Sequence, residues 1–393
     1  MRISYTPEQE ELRRELRAYF DTLMTPERRE ALMSTAGEYG SGNVYRETVA
    51  QMGRDGWLAL GWPKEYGGQA RSTMDQLIFT DEAAVAGAPV PFLTINSVAP
   101  TIMAFGTEEQ KKFYLPGIAR GDIHFSIGYS EPGAGTDLAN LRTAAVRDGD
   151  EYVINGQKMW TSLIQYADYV WLAVRTNTEA KKHRGISVLI VPTNAEGFSY
   201  TPVHTMAGAG TSATYYQDVR VPVGNRVGEE NAGWNLVTNQ LNHERVALVS
   251  AQPIITALNL VREWAQNTKD ASGARLIDAE WVQLNLARVH AKVEYLKLIN
   301  WQLASAADDA PSAGDASAAK VFGTEFATEA YRLLMEILGP SATLRQESPG
   351  ALLRGRVERM HRSSLILTFG GGTNEVQRDI IGMAALGLPR ANR

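Results

Sequence analysis

The chain has 393 residues, enough for two or three packed domains with a large core. Hydrophobic residues make up 44% and charged residues 21%, with a net charge of -5; this is an ordinary globular balance and gives no reason to expect a nucleic-acid partner. The absence of cysteine excludes disulfides, thiolate catalysis, Cys-ligated zinc and Cys-held iron–sulfur clusters.

Met1-Arg2-Ile3-Ser4-Tyr5 runs straight into a charged helix, and no apolar run reaches ~18 residues. Neither a signal peptide nor a membrane span is expected, and the cytoplasm is the expected location. Thr6-Pro7-Glu8-Gln9 reads as a helix start: threonine caps, proline fits the first turn and Gln9 reaches back. That helix is expected to run to about Met24, and Thr107-Glu108-Glu109-Gln110 repeats the same logic. Further helices are expected over 43–55, 72–87 and 93–105, interrupted by the Pro/Gly-rich segment Gly61 to Gly68. Residues 1–122 therefore read as a helical domain.

The pattern then changes. His124 to Ser130, Glu151 to Ile154, Tyr169 to Val174, Ile186 to Val191 and Tyr215 to Val221 are short runs rich in β-branched and aromatic residues. Asp148-Gly149-Asp150, Asn155-Gly156 and Pro192-Thr193-Asn194 punctuate them, giving a β domain over 123–228. Helical periodicity returns over 233–268, 275–306 and 316–338, so 229–393 reads as a second helical domain. Ala306 to Ser317 reads as a loop between helices. No internal repeat is evident, and the six histidines show no metal spacing, so no metal site is expected.

Three segments carry chemistry. Ser130-Glu131-Pro132-Gly133-Ala134-Gly135-Thr136-Asp137 is a strand end that opens into small residues. Gly133 and Gly135 allow the backbone to approach a flat ligand, although such a run alone reads as a polar turn. Asn155 to Ser162 contains Trp160, which alone would read as a core aromatic. Gly208-Ala209-Gly210 loosely echoes a dinucleotide fingerprint, but strand-like Tyr215-Tyr216 follows instead of a helix, so that reading is rejected. The third segment is Phe369-Gly370-Gly371-Gly372-Thr373-Asn374-Glu375-Val376-Gln377-Arg378.

Together these segments, and the order helical, β, helical, resemble the acyl-CoA dehydrogenase family over essentially the whole chain. The resemblance implies a mainly α protein with a central β domain: an N-terminal helical domain, a β-barrel-like middle domain and a C-terminal four-helix bundle. It implies FAD, held by Tyr129, Ser130, Gly135, Thr136, Trp160, Thr161, Ser162, Thr373 and Glu375, with the Ser162 hydroxyl at flavin N5. It also places acyl-CoA substrate at Thr136, Arg245, Gly371 and Gly372.

Removing an α-proton from a thioester needs a desolvated carboxylate and donors to the thioester oxygen. Many family members have a glutamate where this chain has Gly371, so Gly371 is left its backbone N–H as the carbonyl donor. Glu244, in Leu241-Asn242-His243-Glu244-Arg245, matches the alternative base position of the isovaleryl-type and long-chain-type branches. It lies at the edge of the apolar stripe Trp234, Val237, Leu241, Leu248. A surface pair with Arg245 is the competing reading of Glu244, and His243 reads as structural.

Three family features are altered. Arg262-Glu263-Trp264-Ala265 lacks the Phe-Gly of the usual Arg-x-x-Phe-Gly, and Glu336-Ile337-Leu338-Gly339-Pro340 replaces Gln-x-x-Gly-Gly. Ala207 and Ala209 stand in the loop where the family has an arginine. In the family the first two motifs reach the FAD of a neighbouring subunit, at its pyrophosphate and its adenosine. The resemblance therefore implies a different second chain, as in the heteromeric heterotetramers of bacterial steroid (cholesterol) side-chain catabolism. It also implies electron-transfer flavoprotein as the acceptor. The other readings are an acyl-CoA oxidase or flavin monooxygenase of the same fold, and a non-catalytic subunit of a heteromer.

Overall fold

The structure, a computed structural model, describes residues 3–33, 43–208, 210–247, 249–305 and 312–389; the side chains of 241–247 lie outside the described residues. The chain begins with helices α1 (Pro7–Leu23), α2 (Pro26–Met33), α3 (Val44–Arg54), α4 (Thr73–Ala86), α5 (Ala99–Phe105) and α6 (Glu108–Ala119). α1 opens with the expected capping box: Thr6 Oγ1 accepts from the Gln9 N–H at 3.2 Å while Gln9 Oε1 accepts from the Thr6 N–H at 3.0 Å. Thr107 and Gln110 repeat it at α6. Leu12, Leu16 and Phe20, four residues apart, turn inward. The helix expected over 93–105 is not uniform. Residues 94–98 form a wide π turn, in which the Ala99 N–H reaches Thr94 O, before α5 begins. Pro100 lies in the first turn of α5 and has no N–H to continue the tighter ladder.

The middle region is one eight-stranded sheet. Its strands are β1 (Phe125–Gly128), β2 (Ala144–Asp148), β3 (Glu151–Lys158), β4 (Tyr169–Arg175), β5 (Ile186–Pro192), β6 (Phe198–His204), β7 (Gly210–Pro222) and β8 (Arg226–Val227). The order is β6-β7-β3-β2-β4-β5-β8, with β1 parallel to β4. Alternate side chains face opposite ways. Trp171, Ala173, Val188 and Ile190 pack with the N-terminal helices, whereas Val170, Leu172, Val174, Leu189 and Val191 pack with Tyr152, Ile154 and Val219. Both faces are therefore dry, which explains why β4 and β5 read as continuous apolar runs. Strands β2, β6 and β8 escaped the sequence reading. β2 buries only Ala145, β6 is largely exposed and contains Pro202, and β8 has two residues.

The remaining helices are α7 (Gly233–Ala247), α8 (Gln252–Asn267), α9 (Glu280–Ser305), α10 (Ala313–Leu338), α11 (Arg356–Ser364) and α12 (Asn374–Ile380). The single helix expected over 233–268 breaks before α8, whose first turn contains Pro253. α10 is central: α7, α8, α9, α11 and α12 all pack against it. Of the loop expected over 306–317, residues 306–311 lie outside the described residues. No helix among the described residues is long and apolar enough to cross a membrane.

Candidate active site

The two segments of the expected cradle are tied together by a buried ion pair. Lys158, at the end of β3 and fully buried, donates to Glu131 Oε1 at 2.8 Å and to the Tyr129 carbonyl at 3.0 Å. Glu131 also accepts from the backbone N–H groups of Arg142 at 2.7 Å and Thr143 at 2.8 Å. The Met159 N–H donates to Ser130 O at 2.8 Å. Burial pulls Lys158 down to about 8 against the opposing pull of Glu131. Burial pushes the Glu131 carboxyl up, but the charge and hydrogen bond of Lys158 and the Thr143 amide outweigh it and hold it below its ordinary range.

Past this lock the backbone is strained. Trp160 and Leu163 have φ of 65° and 61°, left-handed values for residues with side chains. The excursion turns Trp160 outward, to 55% exposure, on a dry sheet. Between them Thr161 is fully buried; its N–H donates to Ser212 O at 2.9 Å and its hydroxyl meets that of Thr214 at 3.4 Å. The Ser162 carbonyl accepts from Ser126 Oγ at 2.9 Å, which leaves the Ser162 hydroxyl on the open side, 3.3 Å from Thr211 Oγ1. A Cβ added at Gly133 or Gly135 would meet nothing within 4 Å. The loop thus presents bare backbone to open space, as a flat ligand requires.

The C-terminal segment forms a glycine turn at Gly371 (φ 69°) and Gly372 (φ 95°). Both angles favour glycine, and a Cβ at Gly372 would also lie 2.6 Å from Gln377 Nε2. The buried Lys320 of α10 supports the turn, donating to Gly372 O and Asn374 Oδ1 at 2.8 Å each. Thr373 caps α12 by accepting the Val376 N–H at 3.3 Å, and Glu375 lies exposed in the first turn.

Glu244 and Arg245 lie on α7, but their side chains are outside the described residues. The helix itself is well anchored. Val237 and Gln240 are buried, and Trp234 packs edge-on against His183 with ring centroids 4.6 Å apart. Gln240 accepts from the Tyr129 hydroxyl, which in turn accepts from Trp171 Nε1 at 3.1 Å. The helix bearing Glu244 and the turn bearing Gly371 both rest on α10.

A cavity of about 720 Å³ opens between the middle sheet and the C-terminal helices. Ser162, Thr211, Ile366 and Leu367 are among the residues that line it. Among the described residues, the other expected cofactor and substrate residues do not line it. Tyr129 and Thr161 are turned into the protein, so their side chains serve packing. Ser130, Gly135 and Thr136 form the loop beside it in sequence, and Trp160 flanks Ser162. The sequence reading missed the roles of Lys158, Thr211, Gln240 and Lys320. For Lys158 a signal was present: a lysine closing a strand within a segment already singled out. Its partner lies 27 residues away, beyond any local pattern. Among the described residues no group of three or more His, Asp or Glu could hold a metal ion.

Three family models match the chain: the acyl-CoA dehydrogenase N-terminal domain over residues 6–122, the middle domain over 126–219 and the C-terminal domain over 231–386. The chain is 84% identical to acyl-CoA dehydrogenase FadE26 of Mycobacterium tuberculosis, with 100% of both chains covered. It is 46% identical to FadE29 of the same organism, again over 100% of each. Among solved structures it matches the ChsE4-ChsE5 complex from Mycobacterium tuberculosis with a TM-score of 0.93, at 84% identity and 100% coverage of both chains. It also matches the Tcur3481-Tcur3483 steroid ACAD with a TM-score of 0.92, at 50% identity and 100% coverage of both.

Proposed function

The chain belongs to the acyl-CoA dehydrogenase family, and on that premise we propose that it is the base-bearing chain of a heteromeric enzyme that uses FAD to desaturate a steroid side-chain acyl-CoA. Its activity as an acyl-CoA dehydrogenase, acting on CH–CH bonds, follows from its relatives, and the family implies a flavin. The steroid substrate and the second chain are our reading, supported by the likeness to the steroid ACAD and to the ChsE4-ChsE5 complex. The cytoplasm is the location we propose.

One observation carries the assignment of roles: Gly371 offers no carboxylate in a turn whose φ of 69° suits glycine, while Glu244 lies on a helix seated on the same α10. In the proposed mechanism the backbone N–H of Gly371 donates to the thioester oxygen and stabilises the negative charge that develops there. Glu244 removes the α-proton, and Arg245, Thr136 and Gly372 border the substrate. FAD, when bound, supplies the two-electron acceptor for the β-hydride. The residues present fit it: the open loop at Gly133 and Gly135, the exposed Trp160, and the Ser162 hydroxyl on the cavity wall. Ser162 would offer its hydroxyl to N5, while Thr373 and Glu375 would offer polar groups beyond the glycine turn. Electron-transfer flavoprotein is the proposed acceptor; slow reoxidation of reduced flavin in air would separate this reading from an oxidase.

Ser162→Ala should keep the fold and slow flavin reduction. Loss of one neutral hydrogen bond costs roughly 0.5–1.5 kcal/mol, or about three- to tenfold in rate. An unchanged rate in stopped-flow reduction would remove Ser162 from N5.

The partner reading rests on altered motifs. Gly339 ends α10 with φ 73° and Pro340 follows with no N–H to donate. Arg262 is bonded to Asn259 of its own helix at 2.8 Å. Co-expression with a homologous second chain should therefore yield one FAD per two chains, read by native mass spectrometry and flavin release. A stable homo-oligomer with one FAD per chain and full activity would overturn the heteromer while leaving the dehydrogenase standing.

A further inference from the structure

The cavity that Ser162 lines also carries concentrated positive charge. Arg345, Arg354, Arg356, Arg359 and Arg362 line it against only Glu347 and Glu358. Arg362 is paired with Glu358, and Arg354 lies 3.7 Å from Glu30. Among the described residues Arg345 and Arg356 have no ion-pair partner. Partial burial, then the charge of Arg29, pulls the Arg356 guanidinium below its ordinary value, and Arg359 adds to the effect. Unpaired like charges facing one cavity repel each other, and an anion placed between them would relieve that repulsion.

The walls are fixed around this charge. Arg362 donates to the Met206 carbonyl at 2.5 Å, and Ser363 Oγ donates to the Ala207 carbonyl at 3.2 Å. These bonds fasten α11 to the loop that leads into β7 and Thr211. Gly355, which opens α11, has φ 64°, and a Cβ there would lie 2.6 Å from the Gln346 N–H nitrogen. That close approach holds the segment carrying Arg345 against the start of α11, beside Arg356. The cavity therefore combines apolar side chains at Ile366 and Leu367, a hydroxyl pair at Ser162 and Thr211, and guanidinium groups on the same chain.

We infer that the guanidinium groups of Arg345 and Arg356 form a diphosphate site that holds the diphosphate of the flavin dinucleotide from this chain's own side. This rests on the flavin reading above and alters what the second chain must contribute. These arginines lie in α11 and the segment before it, so the partner is needed for the adenosine end and not for all of the phosphate charge. Guanidinium groups suit the role because they pair with phosphate oxygens through two parallel N–H donors, which lysine cannot do.

The test compares ligands with and without the diphosphate on the assembled enzyme after flavin removal. Arg345→Gln/Arg356→Gln should raise the Kd for FAD about tenfold or more while leaving the Kd for riboflavin unchanged. The FAD Kd of the wild type should also rise more steeply with salt than that of the variant. If the double variant loses riboflavin as well, the single Arg345→Gln variant, at an exposed side chain, should still weaken FAD about threefold with riboflavin unaffected. An unchanged ratio of FAD to riboflavin affinity in the folded variants would overturn the inference. So would weakened binding of coenzyme A with FAD retained, which would assign the site to the substrate's diphosphate, or loss of the second chain with FAD affinity intact. An enzyme that takes up neither flavin would instead overturn the flavin reading itself.

Discussion

Glu244→Gln should leave flavin bound and abolish turnover. The amide is close in size to the carboxylate but cannot accept the α-proton. General-base catalysis is worth about two to four orders of magnitude, and more when no other base stands near. Gly371 cannot act as substitute, because it has no side chain. The backbone of α7 should be unaffected, since Val237 and Gln240, which anchor it, are buried and unchanged. Anaerobic mixing with substrate, followed at the flavin absorbance, gives the reading. Bleaching near the wild-type rate, with normal flavin content, would show that Glu244 is not the base and would return it to a surface pair with Arg245.

Lys158→Met should be the most destabilising single change in the cradle. It leaves the buried Glu131 carboxylate without its counter-charge, and breaking a buried pair from one side costs about 3–5 kcal/mol. The double variant Glu131→Gln/Lys158→Met should recover part of that loss, because no unpaired charge remains. The pH dependence has a definite sign. Glu131 in the folded chain lies below its ordinary value of 4.5, so its contribution is present above that pH and is lost as the pH falls through the folded value. In Lys158→Met the sign reverses, since a buried carboxyl without its cation is best tolerated protonated. Urea midpoints of the two variants and the wild type between pH 4 and pH 7 would measure this; a Lys158→Met midpoint equal to wild type would show that the pair does not hold the cradle together.

Much of the architecture was legible because it is written in local signals. The capping boxes at Thr6 and Thr107 mark helix starts within three residues of sequence. β4 and β5 were visible because both faces are dry and apolar residues dominate each run. The structure departs from the sequence reading where nonlocal packing decides. β6 forms because β7 offers it a ladder from Phe198↔Tyr216 to His204↔Gly210, not because its exposed residues favour a strand. The π turn at 94–98 is fitted to Phe125, whose N–H donates to Thr94 Oγ1 at 3.0 Å.

The site divides in the same way. Gly135 and Ser162 could be singled out because small residues and hydroxyls in a quoted motif lie where the backbone opens. Tyr129 could not be read from the motif alone: its position suggests a ligand, but its hydroxyl is committed to Gln240, 111 residues away. The arginines of the cavity come from a segment that looks like an ordinary charged loop and helix, Arg345 to Arg362. Only folding α11 back onto the loop before β7 brings them to the cavity that Ser162 lines.

The central claim is that this chain and its flavin desaturate an acyl-CoA through a base on α7. Anaerobic titration of the assembled enzyme with a steroid side-chain acyl-CoA tests it most directly. The expected result is stoichiometric bleaching of the oxidised flavin, with one α,β-unsaturated thioester formed for each flavin reduced. A flavin that stays oxidised while the saturated thioester is recovered unchanged would contradict the account.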